Sequence, residues 1–130
     1  MQRAADWFGE ALAELRASRD LCATGHWSWC CFTSQQAAEK ALKAICEHFR
    51  SPQFGHNLNV LIDAVEQHVR VDNSIRTACA RLNRYYIPTR YPDAFPQGVP
   101  AEQYFESDAH QALDDAEQIV RFAERAIQSS

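Results

Sequence analysis

From His26 to Phe49 the chain runs for 24 residues without a glycine or a proline, in a composition rich in Ala, Glu, Lys, Gln and Leu, the residues that lose least on entering a helix. Such a run predicts one long helix, stopped by the Ser51-Pro52 pair and Gly55. The rest of the chain keeps the same period. Trp7, Leu12, Leu15 and Cys22, with Ala4, Ala11 and Ala23, mark a helix from Arg3 to about Thr24 that breaks at Gly25. Leu58, Leu61, Ile62 and Val65 mark a third, from about Asn57 to Val69, with Asn57 as its N-cap. A fourth starts near Asp72 or Asn73, runs through Ile75, Cys79, Leu82 and Tyr86, and is ended by Pro88. A last helix, capped by Ser107 or Asp108, carries Ala109, Leu113, Ala116, Ile119, Val120, Ala123 and Ile127. Alternating β-branched runs are absent. The expected fold class is therefore all-α, an antiparallel four- to five-helix bundle, and 130 residues fit one domain over 1–130.

Four of the five prolines fall between Pro88 and Pro100, where backbone donors are too few for regular structure. A loop of this length is often functional. There is no cationic start followed by an apolar run and no stretch of about 18 apolar residues, so a cytoplasmic protein without a membrane span is expected. Five cysteines without a C-x-x-C pair fit reduced, buried thiols. His26 and Cys30 stand at i, i+4 but lack a second ligand pair, so no metal and no cofactor is expected.

Charge then separates along the chain. Thirteen Lys and Arg against 17 Asp and Glu give a net charge of −4, which argues against a generally cationic nucleic-acid coat. Yet the cations are eleven arginines and two lysines, a bias toward bidentate recognition of phosphate or carboxylate. Between Asp72 and Asp93 no acidic residue occurs, while Arg76, Arg81, Arg84 and Arg90 add +4, and Tyr85, Tyr86, Tyr91 and Tyr104 lie in or near the same stretch. Guanidinium beside tyrosine suits an anionic ligand that carries bases. The competing reading pairs these arginines with the acidic last helix. In the second helix, Trp29, Phe32, Gln36, Lys40 and Lys43 share one stripe opposite the core side. That stripe fits a dimer interface or second core layer, or a surface on which nucleotides stack.

The segments Ser34-Gln-Gln-Ala-Ala-Glu-Lys-Ala-Leu-Lys-Ala44, His56-Asn-Leu58, and Tyr86 with Arg90-Tyr-Pro-Asp93 give the chain a likeness, in order and over nearly its whole length, that resembles the HEPN family, named for higher eukaryotes, prokaryotes and nucleotide binding. The resemblance implies a helical bundle, usually dimeric, with a cleft near the dimer axis for nucleotide or RNA. It also implies a nucleotidyltransferase partner, here on a separate chain, in arrangements that are frequently toxin–antitoxin pairs. Many members are metal-independent endoribonucleases using Arg-x(4–6)-His. That spacing occurs here as Arg50 and His56, between the second and third helices, whereas the family places the motif near the start of a later helix. The corresponding region offers Arg81, Arg84, Tyr86, Arg90 and Tyr91 but no histidine. The resulting expectation is binding of nucleotide or RNA phosphate through Arg81, Arg84 and Arg90, with Tyr86 and Tyr91 beside them and Lys40 and Lys43 bordering the cleft. The alternatives are a metal-independent endoribonuclease toxin with Arg81, Tyr86 and His56 as its catalytic residues, and a non-catalytic partner that neutralises or is modified by a nucleotidyltransferase.

Overall fold

The second helix is wrapped on nearly every side, because its small residues let neighbours approach. In the computed structural model, which describes residues 3–86 and 92–129, α1 (Ala4–Ala23) leads through a turn at Gly25 into α2 (Trp27–His48). Then follow α3 (Leu58–Glu66), α4 (Asn73–Leu82) continued by a 3-10 turn (Asn83–Tyr85), a second 3-10 turn (Pro92–Ala94), the short α5 (Pro100–Gln103) and α6 (Glu106–Gln128). Among the described residues there is no strand. The all-α reading holds, and the sixth helix is α5, which starts on Pro100, where a fixed φ favours the first helical turn. Two local signals resolve differently. Asn57 does cap α3, accepting from the backbone N–H groups of Asn59 and Val60. Asp108, by contrast, sits three residues inside α6 and accepts from the Phe105 N–H at 2.8 Å, so it holds the first turn without being the cap residue.

Side-chain pairs give the topology. Ser18 meets Ser34, Glu14 meets Lys40 and Trp7 meets Lys43, so α1 and α2 are antiparallel. Arg19 pairs with Glu117 and Cys22 with His110, so α1 and α6 are antiparallel as well. Likewise α4 runs against α3, with Asn83 at Leu58 and Arg76 at Asp63, and it packs on α6 through Arg81 and Asp115. The core between them contains Leu42, Ile45, Leu58, Leu61, Ile62, Leu82 and Ile119, all fully buried. Each such side chain contributes about 2 kcal/mol relative to exposure.

All five cysteines are buried free thiols. Burial pushes Cys30 and Cys79 up to about 12 and Cys46 to about 11, and raises Cys31 further in the same direction. Folded values above the ordinary thiol value of 9.0 mean that the unfolded chain loses its thiol protons first, so this contribution to stability is full below pH 9 and is lost as the pH rises beyond it. Accordingly, a thiol-specific disulfide reagent at pH 8 is expected to leave these four unlabelled in the native protein and to label them in urea. Native labelling at the unfolded rate would show that the core is open.

Candidate functional site

The polar residues that break the apolar surface of α2 converge on one carboxylate. Gln35, Glu39 and Lys43 recur at i, i+4, i+8 on one side of α2, and all three are buried. Glu39, 3% exposed, accepts from Lys43 Nζ at 3.0 Å through Oε2, while its Oε1 lies 2.9 Å from His56 Nδ1 and 3.5 Å from the Gln35 and Gln36 amides. The Lys43 ammonium also sits 5.4 Å over the Trp7 ring. His56 is delivered by the connector from α2. Arg50 (φ 59) and Gly55 (φ 90) adopt left-handed backbone there, the Gln35 amide donates to the His56 carbonyl at 3.2 Å, and the Asn57 cap follows immediately.

The end of α4 closes the site from the other side. Asn83 Oδ1 accepts from the Leu58 N–H at 2.7 Å and so ties the 3-10 turn to the start of α3. That tie brings Tyr86 onto His56 as a near-parallel stack, with ring centroids 4.3 Å apart and planes 14° apart. Phe32 lies 6.2 Å from Tyr86, and Trp29, 49% exposed, lies 6.2 Å from Phe32. One aromatic row thus runs from His56 to the outer face of α2.

The cations divide into committed and uncommitted ones. Arg81 donates from Nε and Nη2 to the two oxygens of Asp115 at 2.9 and 2.7 Å, a bidentate pair on a carboxylate that is only 1% exposed. Arg76 turns to Asp63 and Glu66 of α3, so of the described arginines in the acid-free stretch only Arg81 bonds to the last helix. Lys40 pairs with Glu14, whose Oε2 is buried without a partner among the described residues and whose carboxyl is raised above its ordinary value by burial, against the pull of Lys40. Neither Lys40 nor Lys43 is therefore an open cation: Trp7 and Glu14 of α1 meet this end of the stripe, Phe32, Gln36 and Lys40 are half-buried, and Trp29 is its exposed end. Arg84 differs. It is exposed, its Nε donates to the Arg81 carbonyl at 3.1 Å, its guanidinium lies 5.7 Å from the Tyr85 ring, and its terminal nitrogens have no partner among the described residues. Arg90 and Tyr91 lie outside the described residues.

Neither Arg50 with His56 nor Arg81 with Tyr86 forms a pair. His56 bonds to Glu39 and makes no hydrogen bond to Arg50, and Arg81 faces Asp115 while Tyr86 faces His56. Five positions along a helix rotate the side chain by about 140°, so Arg81 and Tyr86 point to different sides, while Arg50 and His56 lie in the non-helical connector after α2. Glu39 and Asp115 were not among the expected site residues. Both had a signal in the sequence: an acidic residue placed on an apolar helical stripe, Glu39 beside Ala38 and Leu42, and Asp115 beside Ala112, Ala116 and Ile119.

Residues 4–126 match the HEPN domain model. The chain belongs to the HEPN family. Its fold is shared with solved structures: TT1696 from Thermus thermophilus is 39% identical with a TM-score of 0.94, covering 97% of this chain and 99% of that one. An archaeal HEPN homologue, ST0689, is 31% identical with a TM-score of 0.83 over 98% and 99% of the two chains. A HEPN domain protein of Thermotoga maritima is 25% identical with a TM-score of 0.78 over 95% and 98%. Comparison with curated proteins gives no match. In this HEPN protein no described residues form a group of three or more His, Cys, Asp or Glu that could hold a metal ion, and no described helix is long and apolar enough to cross a membrane.

Proposed function

We propose that this HEPN protein binds nucleotide or RNA phosphate at the end of α4, with Arg84 as the phosphate contact, Arg90 adding charge from the following segment, and the aromatic row supplying the surface on which a base stacks. The observation that carries this reading is the uncommitted guanidinium of Arg84, two residues from Tyr86 in its stack with His56. A guanidinium with open donors, in the same short segment as a stacked tyrosine, is a combination that single-stranded nucleic acid selects. The double variant Arg84→Ala, Arg90→Ala is expected to weaken binding of a single-stranded RNA at least about tenfold, as read by fluorescence anisotropy. The slope of log K against log salt should also fall by about 0.7 for each phosphate contact removed. Unchanged affinity and slope would remove the phosphate site from this end of the bundle.

The protein acts as a homodimer in this reading, because a tryptophan 49% exposed at the end of an aromatic row favours cover by another chain. Sedimentation equilibrium should then give about twice 14.8 kDa, and Trp29→Ser should return it to the single-chain mass. The HEPN relationship supports a separate nucleotidyltransferase as the working partner. Co-expression with such a chain should yield a complex that survives purification, and independent elution of the two would count against it.

A further inference from the structure

Where α1 ends, α2 begins and α6 begins, two thiols gather against an imidazole that the phosphate site does not use. Cys22 lies one residue before the end of α1, His110 lies in the second turn of α6, and Cys22 Sγ is 3.7 Å from His110 Nδ1. On the far edge of the ring Nε2 is 3.4 Å from Oε2 of Glu106, one turn earlier on α6. An ionised carboxylate offers only acceptors, so Nε2 carries the ring proton and Nδ1 presents its lone pair to the Cys22 thiol. Thiol, imidazole and carboxylate thus stand in the order in which a base takes a thiol proton and a third group orients the base.

A second sulfur stands behind the first. Cys30, in the first turn of α2, donates its thiol to the Ala109 carbonyl at 3.7 Å, so the two sulfurs rest on consecutive residues of α6, and Cys22 is a hydrogen-bonding neighbour of Cys30. Their access differs. Cys30 is closed to solvent, whereas Cys22 keeps 7% of its surface open beside an imidazole whose side chain is 60% exposed, in the last turn of α1, where a helix opens most readily.

We infer that Cys22 is an oxidisable thiol, with His110 as its base, Glu106 as the residue that orients that base and Cys30 as the resolving thiol, so that peroxide converts the pair into a Cys22–Cys30 disulfide. In the first step the Cys22 proton passes to His110 Nδ1, the thiolate forms a bond to one peroxide oxygen and the O–O bond breaks. Cys22 becomes a sulfenic acid, oxidised by two electrons, and the leaving hydroxide takes the proton back from His110 as water. In the second step the Cys30 sulfur bonds to the Cys22 sulfur, the S–OH bond breaks, and the hydroxide leaves with the Cys30 proton as a second water. Only seven residues separate the two cysteines, across the turn at Gly25.

The test treats the full chain at pH 7 with hydrogen peroxide in an amount that oxidises free cysteine. Mass spectrometry after chymotryptic cleavage, which cuts between the two positions, is expected to show the loss of two hydrogens and a Cys22–Cys30 link, with Cys46 and Cys79 still reduced. Cys30→Ala should stop at the sulfenic acid, one oxygen heavier and trapped by a cyclic 1,3-diketone, and Cys22→Ser should leave every thiol reduced. His110→Ala is expected to slow the oxidation at least about tenfold, and added imidazole should restore part of the rate in that variant, which a merely structural histidine would not allow. Long-range proton–nitrogen correlation spectra should show His110 as the Nε2–H form in the parent and as a mixture of tautomers in Glu106→Ala. Cys22 left reduced while free cysteine is oxidised, a disulfide that persists in Cys30→Ala, or a rate indifferent to His110→Ala would each overturn the inference.

Discussion

Lys43→Met is expected to lower the free energy of unfolding by about 3 kcal/mol, the largest single effect at this site. The substitution keeps an unbranched stem against Trp7 but leaves the Glu39 carboxylate buried without its cation. Breaking a buried pair by removing one partner costs about 3–5 kcal/mol, and the lower figure applies because His56, Gln35 and Gln36 remain around the carboxylate. The combination of Lys43→Met with Glu39→Leu removes both charges, and it should recover stability to within about 1 kcal/mol of the parent, since the pair itself roughly balances its desolvation. Urea denaturation followed by circular dichroism gives both values. A single variant as stable as the parent would mean that water reaches Glu39.

Arg81→Met is expected to cost about 2 kcal/mol by the same measurement. Asp115 lies inside the apolar stripe of α6 among Ala112, Ala116 and Ile119, and without Arg81 it keeps, among the described residues, only the Gln111 amide at 3.1 Å. The cost falls below that at Lys43 because the Arg81 side chain is partly open to solvent, so water can replace some of what it supplied. Arg76→Met makes the contrast. Its two carboxylate partners are largely exposed, and stability should stay close to that of the parent. If Arg81→Met were equally silent, Asp115 would have to be solvated or protonated in the folded protein.

The architecture was legible because helix formation is local. Hydrogen bonds from i to i−4, the caps and the breakers all lie within a few residues, so the run without glycine or proline located α2 and Asn57 located the start of α3. The end of α4 was less so: the expected helix to Tyr86 stops at Leu82 and tightens to a 3-10 turn, where Asn83 bonds across to Leu58. The site was legible as a set of residue types and not as an arrangement. Tyr86, His56 and Arg84 stood out by chemistry, whereas Gln35, Glu39 and Lys43 have the spacing of an ordinary solvated helix face, and only the cover of α1 and the connector after α2 makes them a buried network.

What the sequence determined by itself was therefore the helical class, the placement of its elements, the HEPN relationship and the separation of a cationic fourth segment from an acidic last one. The tertiary structure decided which of those charges remain available. Arg81 finds Asp115 across 34 positions, Lys40 finds Glu14 across 26 and Arg76 finds Asp63 across 13, while Arg84 finds no carboxylate among the described residues. The reason is that periodicity and capping act between neighbours along the chain, but an ion pair depends on distance and burial in space, which exist only once the helices have packed.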